Sequence, residues 1–352
     1  MLSKETIRQR NRDAFLAESD YIPLKIMVPN PDLPKINRWE ITMEPDKALE
    51  FGLAETRYCR ELSTDWFPYL TTYYQDILIP GLFGAELFDK FKDKNPMPKP
   101  CFEDIQEVDR FQLEDMDTRS PLMEQALDFH RTLLSQVPED LEVTAPAVTS
   151  PLDYAVNMRG GDFFVDMVIE PERAKRFLAL ITELIIQKIR LFKDVSNEPD
   201  DEYITNRGLF LPGIRVACDS MVNLSPAMIE EFMSPFFTRR AEEFTRVLVH
   251  YCTTPAPSGH VIGVLKKCPG VFGVDNWQGY RTLFNAEDEE MLQDQLTVLT
   301  DIPADKLWEE LETPFFKDVK RKGGRGLIVS TTANTVDEGK CLYDQWQAYF
   351  GM

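Results

Sequence analysis

The feature that most constrains this chain is the alternation of short, continuously apolar runs with longer amphipathic stretches. YIPLKIMV (Tyr21 to Val28) reads as a buried strand, bounded by Asp20 and the proline-rich NPDLP. LEVTAPAVTSP, GIRVAC (Gly213 to Cys218), VLVHYC (Val247 to Cys252), GVFGVDN and RGLIVST follow the same pattern. Helical spacing covers Pro45 to Arg60, Leu122 to Leu134, Ala227 to Val247, Glu287 to Leu296, Ala304 to Leu311 and a last stretch from Val336. In the helix opened by Pro171, Phe177, Ile181, Leu184, Ile185, Ile189 and Phe192 recur on one face. Strands that are apolar on both faces need cover on both faces, so the pattern specifies a parallel sheet wrapped by helices.

No GxGxxG follows the first strand and no P-loop is present, which weakens a doubly wound nucleotide-binding fold. The expected class is α/β, a (β/α)8 TIM barrel in a single domain over 1–352. Such barrels run to about 250 residues before insertions. Residues 1–20 read as an N-terminal helical extension, and 92–120, rich in Pro, Asp and Glu, as a surface excursion. DILIPGLFGAELF (Asp76 to Phe88) reads as a brief strand with turns, and Asp65 to Leu70 as an aromatic loop.

The formal charge of −20 argues against nucleic acid and anionic membrane surfaces as partners, because both demand a basic face. No stretch approaches the roughly 18 apolar residues of a membrane span. The first fifteen residues lack a secretory h-region, and the six cysteines have no framework spacing. The expectation is a cytoplasmic protein with reduced thiols.

In a barrel the site forms at the C-terminal ends of the strands. Five strands end in functional groups here: Thr149 and Ser150, Asp219, His250 and Cys252, Asp275 and Asn276, and Ser330 to Thr332. Asp219, His250, Asp76 and Asp275 are the catalytic candidates; Asn276, Trp277, Thr332 and Ser150 are the substrate-binding ones. Among only three histidines, His250 stands two residues from Cys252. Residues i and i+2 of a strand share a face, so imidazole and thiol are placed to grip one metal such as zinc. The third ligand is open, with His260, Cys268 and Asp275 as candidates by chain proximity alone. The bland alternative packs Cys252 in the wall and gives His250 an ordinary hydrogen bond. His130 reads as structural, Asp153 and Asp162 as surface or cap residues, and Asp76 as either a shifted acid or a turn cap.

APAVTSPLDYAVNMRGGDFFVDMVIEPERAKRFLALIT, RVACDSMVNLSPAMIEEFMSPFF, VHYCTTPAPSGHVIGVLKKCPGVFGVDNW and DILIPGLFGAEL occur in an order similar to the uroporphyrinogen decarboxylase superfamily. That resemblance implies a (β/α)8 barrel. The arginine-rich RQAGRY loop and the late GHG histidine of true decarboxylases are replaced by RQRNRDAF and IVSTTANTV. The chain more closely resembles the corrinoid-linked methyltransferase branch, the methylcobalamin:coenzyme M and O-demethylase methyltransferases. There, zinc is held by His-x-Cys and a later Cys. His250 and Cys252 match the first two positions, while Ser330, Thr331 and Thr332 stand where the distal Cys is expected. The resemblance implies methyl transfer between a small methylated donor or acceptor and a corrinoid on a partner protein, the corrinoid-binding protein. A small-acid decarboxylase using Asp76 and a non-catalytic barrel are the alternatives.

Overall fold

The computed structural model describes residues 2–16, 18–19, 21–62, 64–88, 94–252, 259–276, 296–314, 317 and 326–352. Nine short parallel strands build its wall: β1 (Leu24–Met27), β2 (Tyr69–Thr71), β3 (Glu142–Thr144), β4 (Val148–Thr149), β5 (Ile214–Ala217), β6 (Val247–His250), β7 (Val271–Asn276), β8 (Thr297–Asp301) and β9 (Leu327–Thr332). Seven of them form one parallel sheet in the order β1-β9-β8-β7-β6-β5-β4, and β2 pairs with β3. β3 and β4 are two halves of LEVTAPAVT, parted at Ala145-Pro146-Ala147, where Pro146 has no N–H to donate. The first half ladders to β2 and the second to β5. The sheet therefore curls through the expected barrel order.

It does not close, which corrects the expected complete cylinder. No ladder joins β1 to β2. At that seam the Trp66 indole donates to the Ile26 carbonyl at 3.2 Å, and the Phe67 N–H leaves for the Gly208 carbonyl at 2.7 Å. Pro68 supplies no donor there. The turn of a small hairpin, Tyr203–Ile204 against Phe210–Leu211, thus takes one of the seam's backbone partners. Gly208 makes this approach possible: its φ is +68°, and a Cβ would lie 2.0 Å from the Phe67 carbonyl oxygen.

Three other expectations change. In 76–88 the apolar DILI run is no strand, Leu78–Leu82 being a short helix; the brief strand there is Leu87–Phe88, paired antiparallel with Met97–Pro98, and the wall strand of this region, β2, falls earlier. The stretch Ala227 to Val247 is broken into a turn at Pro226–Met228, a π turn at Ile229–Met233 and a helix Ser234–Phe244, because Pro235 removes one rung of the ladder. β8 was hidden behind the expected helix Glu287 to Leu296; 287–295 lie outside the described residues, and Leu296 is not helical.

The N-terminal helix Lys4–Phe15, capped by Ser3, is more than an appendage. Phe15 is buried edge-on to Phe272, its carbonyl accepts from Thr297 Oγ1 at 3.0 Å, and the buried Asn11 amide donates to the Asp65 carbonyl at 2.7 Å. The helix seals the N-terminal ends of the strands. The described part of 92–120 does more than cross the surface, since Phe102, Ile105 and Val108 are buried in the main core. Phe102 and Phe83 pack edge-to-face on Phe177 of helix Pro171–Ser196, each pair adding about 0.5–1.5 kcal/mol beyond its burial. The apolar face read for that helix is buried throughout. Among the described residues, no helix is long and apolar enough to cross a membrane.

Candidate functional site

Strand register brings the polar residues together. In parallel strands, residues in register share a face, and β6 aligns His250 with Ala217 of β5 and Asp275 of β7. Two residues earlier on β5, Arg215 points the same way. Its Nε donates to Asp275 Oδ2 at 2.6 Å, and the Arg207 guanidinium, entering from the hairpin turn, holds Asp275 Oδ1. Arg207 Nη2 also reaches Asp301 at 2.6 Å, and its carbonyl accepts from the buried Lys25 amine at 2.7 Å. Burial alone would push the Asp275 carboxyl up; the two guanidinium groups override it and hold the group well below the usual carboxylate range. Burial, reinforced by Arg207, pushes the Lys25 amine down to about 7.

Asp275 Oδ2 lies 3.4 Å from His250 Nδ1, which leaves Nε2 toward the rim. There Cys252 Sγ sits 3.2 Å from Nε2 and Asp219 Oδ1 sits 3.8 Å from it. Imidazole and thiol face the same side, as the His-x-Cys spacing requires. Asp219 opens the 3-10 turn Asp219–Asn223 directly after β5, and its Oδ1 also accepts from the Cys252 N–H at 2.8 Å. The turn is fixed from behind by Asp153, whose carboxylate accepts from the backbone N–H of Asp219 and Ser220 at 3.1 and 2.8 Å. Asp153, expected as a surface or cap residue, is half-buried and does cap a turn, though one distant in the chain. Burial raises its carboxyl to about 6.

The donor atoms of Asp219, His250 and Cys252 all lie within 4.8 Å of one another. Imidazole nitrogen, thiol sulfur and carboxylate oxygen suit zinc. A tetrahedral ion with bonds of about 2.0–2.3 Å separates its ligand atoms by roughly 3.3–3.6 Å; here His250 Nε2 lies 3.2 Å from Cys252 Sγ and 3.8 Å from Asp219 Oδ1. The carboxylate behind the imidazole is the usual outer support of a metal-bound histidine. The residues fit such an ion. The side chain that lies with His250 and Cys252 is Asp219; His260 is exposed and Cys268 contacts Ser234 and Thr238, so neither joins the group. Without a metal, burial and then the Asp219 and Asp275 charges push the Cys252 thiol up to about 11, so it is protonated at neutral pH.

Beside this trio opens a cleft of about 400 Å³ lined by Asp76, Thr149, Asp153, Asn206, Arg215 and His250 among others. Asp76 accepts from Thr149 Oγ1 at 3.4 Å and from the Gln75 amide at 3.3 Å. Burial raises its carboxyl against the pull of Lys188, which is itself lowered by burial to about 7. The cleft therefore holds a carboxyl shifted toward its acid form by burial.

Not every candidate converges here. Ser150 caps the helix Pro151–Arg159 and donates to Asp153 at 2.9 Å, acting on the site through that carboxylate. Thr332 lines a separate cleft of about 720 Å³ over the ends of β8 and β9, with Asp301, Ser330 and Thr331. Asn276 ends β7 opposite Thr300, and Trp277 lies outside the described residues. His130 is buried against Ser196 Oγ at 2.8 Å in the helical layer, as a structural histidine should be. Sequence reasoning missed Arg207, Arg215, Lys25 and Lys188. The basic residues inside GIRVAC and YIPLKIMV carried a signal, since a charge in an apolar strand demands a partner; Arg207 carried none.

The fold is shared with a methyltransferase from Methanosarcina mazei at a TM-score of 0.64, covering 98% of this chain and 99% of that chain with 13% sequence identity. At that identity the likeness establishes the fold alone. No protein-family profile matches the chain, and no curated protein does.

Proposed function

We propose that this protein is a methyltransferase that moves a methyl group between a small methylated substrate and a corrinoid carried on a partner protein. The observation that carries the reading is the convergence of Asp219, His250 and Cys252 at adjacent strand ends, beside a cleft holding the half-buried acid Asp76. The shared fold with a methyltransferase supports it. Bound by that trio, zinc would supply Lewis acidity to the heteroatom that parts from the methyl group. The chain's own residues do the rest. Asp275, charged by Arg207 and Arg215, orients the imidazole; Asp153 fixes the turn that carries Asp219. Asp76, whose carboxyl burial raises and whose oxygens Thr149 and Gln75 hold in place, is the acid assigned to protonate the departing heteroatom. Methyl transfer is an in-line displacement, so holding carbon and leaving atom along one axis is the main task of the cleft. The corrinoid belongs to the partner, and no residue here is assigned to it.

A second reading, decarboxylation of a small acid, draws on Asp76 alone as an acid raised by burial. It differs in needing neither corrinoid nor the trio. The test is methylation of cob(I)alamin by metal-replete protein with a panel of O-, S- and N-methyl donors, alongside metal analysis. Turnover that needs the metal and is lost in Cys252→Ser is expected. Metal-replete protein that transfers no methyl group to or from free cobalamin or a corrinoid protein would end the proposal.

A further inference from the structure

The larger cleft, about 720 Å³ over the ends of β8 and β9, has no role in the methyl-transfer reading. Among the described residues, every charged side chain lining it is acidic: Asp301, Asp305 and Glu338. Its wall also holds a hydroxyl with nothing to bond. Thr331 is 3% exposed, and its Oγ1 has no hydrogen-bond partner. Register gives the direction of that side chain. Thr331 pairs with Ile26 of β1, and Ile26 Cγ2 lies 3.6 Å from where a Cβ on Gly339 would stand. Residues in register on parallel strands share a face, so Thr331 points toward helix Val336–Phe350. Leu342 of that helix and Ile302 after β8 form the apolar side of the same cleft. A buried hydroxyl is destabilising unless something supplies its partner. The acids are unevenly engaged. Asp301 gives Oδ2 to Arg207 Nη2 at 2.6 Å, and Glu338 accepts from the Asn334 N–H and amide at 2.8 and 3.0 Å, while Asp305 is exposed.

We infer that this cleft binds a small organic ammonium ligand, its N–H donors at Thr331 and Asp301 and its alkyl part on Ile302, Pro303 and Leu342. The class follows from charge, donors and room. Three carboxylates and no lining cation repel a phosphate, a sulfonate or a carboxylate. A metal ion needs its ligand atoms within one coordination shell; among the described residues, acids, histidines and cysteines gather that closely only at Asp219, His250 and Cys252. The volume lies in the range of small-molecule sites, and an alkylammonium brings both the donors that a carboxylate and a hydroxyl accept and a chain for the apolar side. This site does not rest on the methyl-transfer reading. It meets the frame of the trio only through Arg207, which bridges Asp301 and Asp275.

The test is titration calorimetry of the full chain with n-butylammonium chloride, n-butanol or sodium butyrate at constant ionic strength. Saturable binding of butylammonium alone is expected. Thr331→Val keeps the shape of the side chain and removes the hydroxyl. It should weaken butylammonium binding about tenfold, the loss of one hydrogen bond to a charged group. Its Tm should be unchanged or higher, because the free protein loses no hydrogen bond. Asp301→Asn should abolish the preference for butylammonium over butanol; should the release of Arg207 prevent that variant from folding, Thr331→Val carries the test. No saturable binding of butylammonium, equal binding of butanol or butyrate, or an affinity unchanged in Thr331→Val would each overturn the inference.

Discussion

Replacing Asp275 with Asn tests the electrostatic frame beneath the site. The carboxylate is 0% exposed and neutralises two guanidinium groups, also almost fully buried. Asparagine keeps the shape and one accepting oxygen but removes the charge. Arg207 retains Asp301 at 2.6 Å, so the loss falls mainly on Arg215, whose other partner is the neutral Asn206 amide at 3.1 Å. Removing one member of a buried pair costs about 3–5 kcal/mol, and the surviving Asp301 contact places this case near the lower end. For a chain of this length about 3 kcal/mol lowers Tm by roughly 4 °C. The pH dependence has a definite sign. A carboxyl held below its unfolded value contributes its full stability above about pH 4 and loses it only as pH falls through the depressed folded value. The gap between parent and variant, measured by urea unfolding, should therefore stay flat from pH 8 to pH 5. Arg215→Met in the Asp275→Asn background should recover part of it by removing the orphaned charge. A gap under about 1 kcal/mol, or one that closes between pH 7 and pH 5, would refute the assignment of Asp275 as counter-charge.

Three further outcomes are expected. Because the free Cys252 thiol is pushed up to about 11, zinc binding must expel its proton, and apparent affinity in chelator competition should rise about tenfold per pH unit between roughly pH 7.5 and 9.5; Cys252→Ser should lose that slope. Asp76→Asn should lower kcat by about 10²–10⁴ with little change in KM, and the parent rate should fall as pH rises through the elevated Asp76 pKa, since the protonated form acts. Gly208→Ala forces a left-handed alanine, costing about 1–2 kcal/mol before its Cβ meets the Phe67 carbonyl, so urea unfolding should show a loss larger than that, together with weakened metal binding as Arg207 shifts.

How much of this was legible beforehand depends on the range of the interaction involved. β5, β6 and β7 fall within the runs read from GIRVAC, VLVHYC and GVFGVDN, and β9 overruns RGLIVST only by Thr332, because continuous apolarity is a local signal. β8 escaped because TVLTD has threonine at both strand faces and an acidic end. Asp219 was singled out as a strand-end acid, yet its place beside His250 and Cys252 depends on β5 lying next to β6. Asp153 reads as a cap or surface group and does stabilise a turn N-terminus, but one 66 residues away, beyond the reach of any spacing rule.

Helix cover over a parallel sheet, and a shared face for His250 and Cys252, follow from periodicity within a few residues of the chain. Which carboxylate joins them, which arginines charge Asp275, and where β1 and β2 part at a seam approached by a hairpin turn depend on the folded packing. Those outcomes rest on contacts between segments distant in the chain, where register and packing, and no local preference, select the partner.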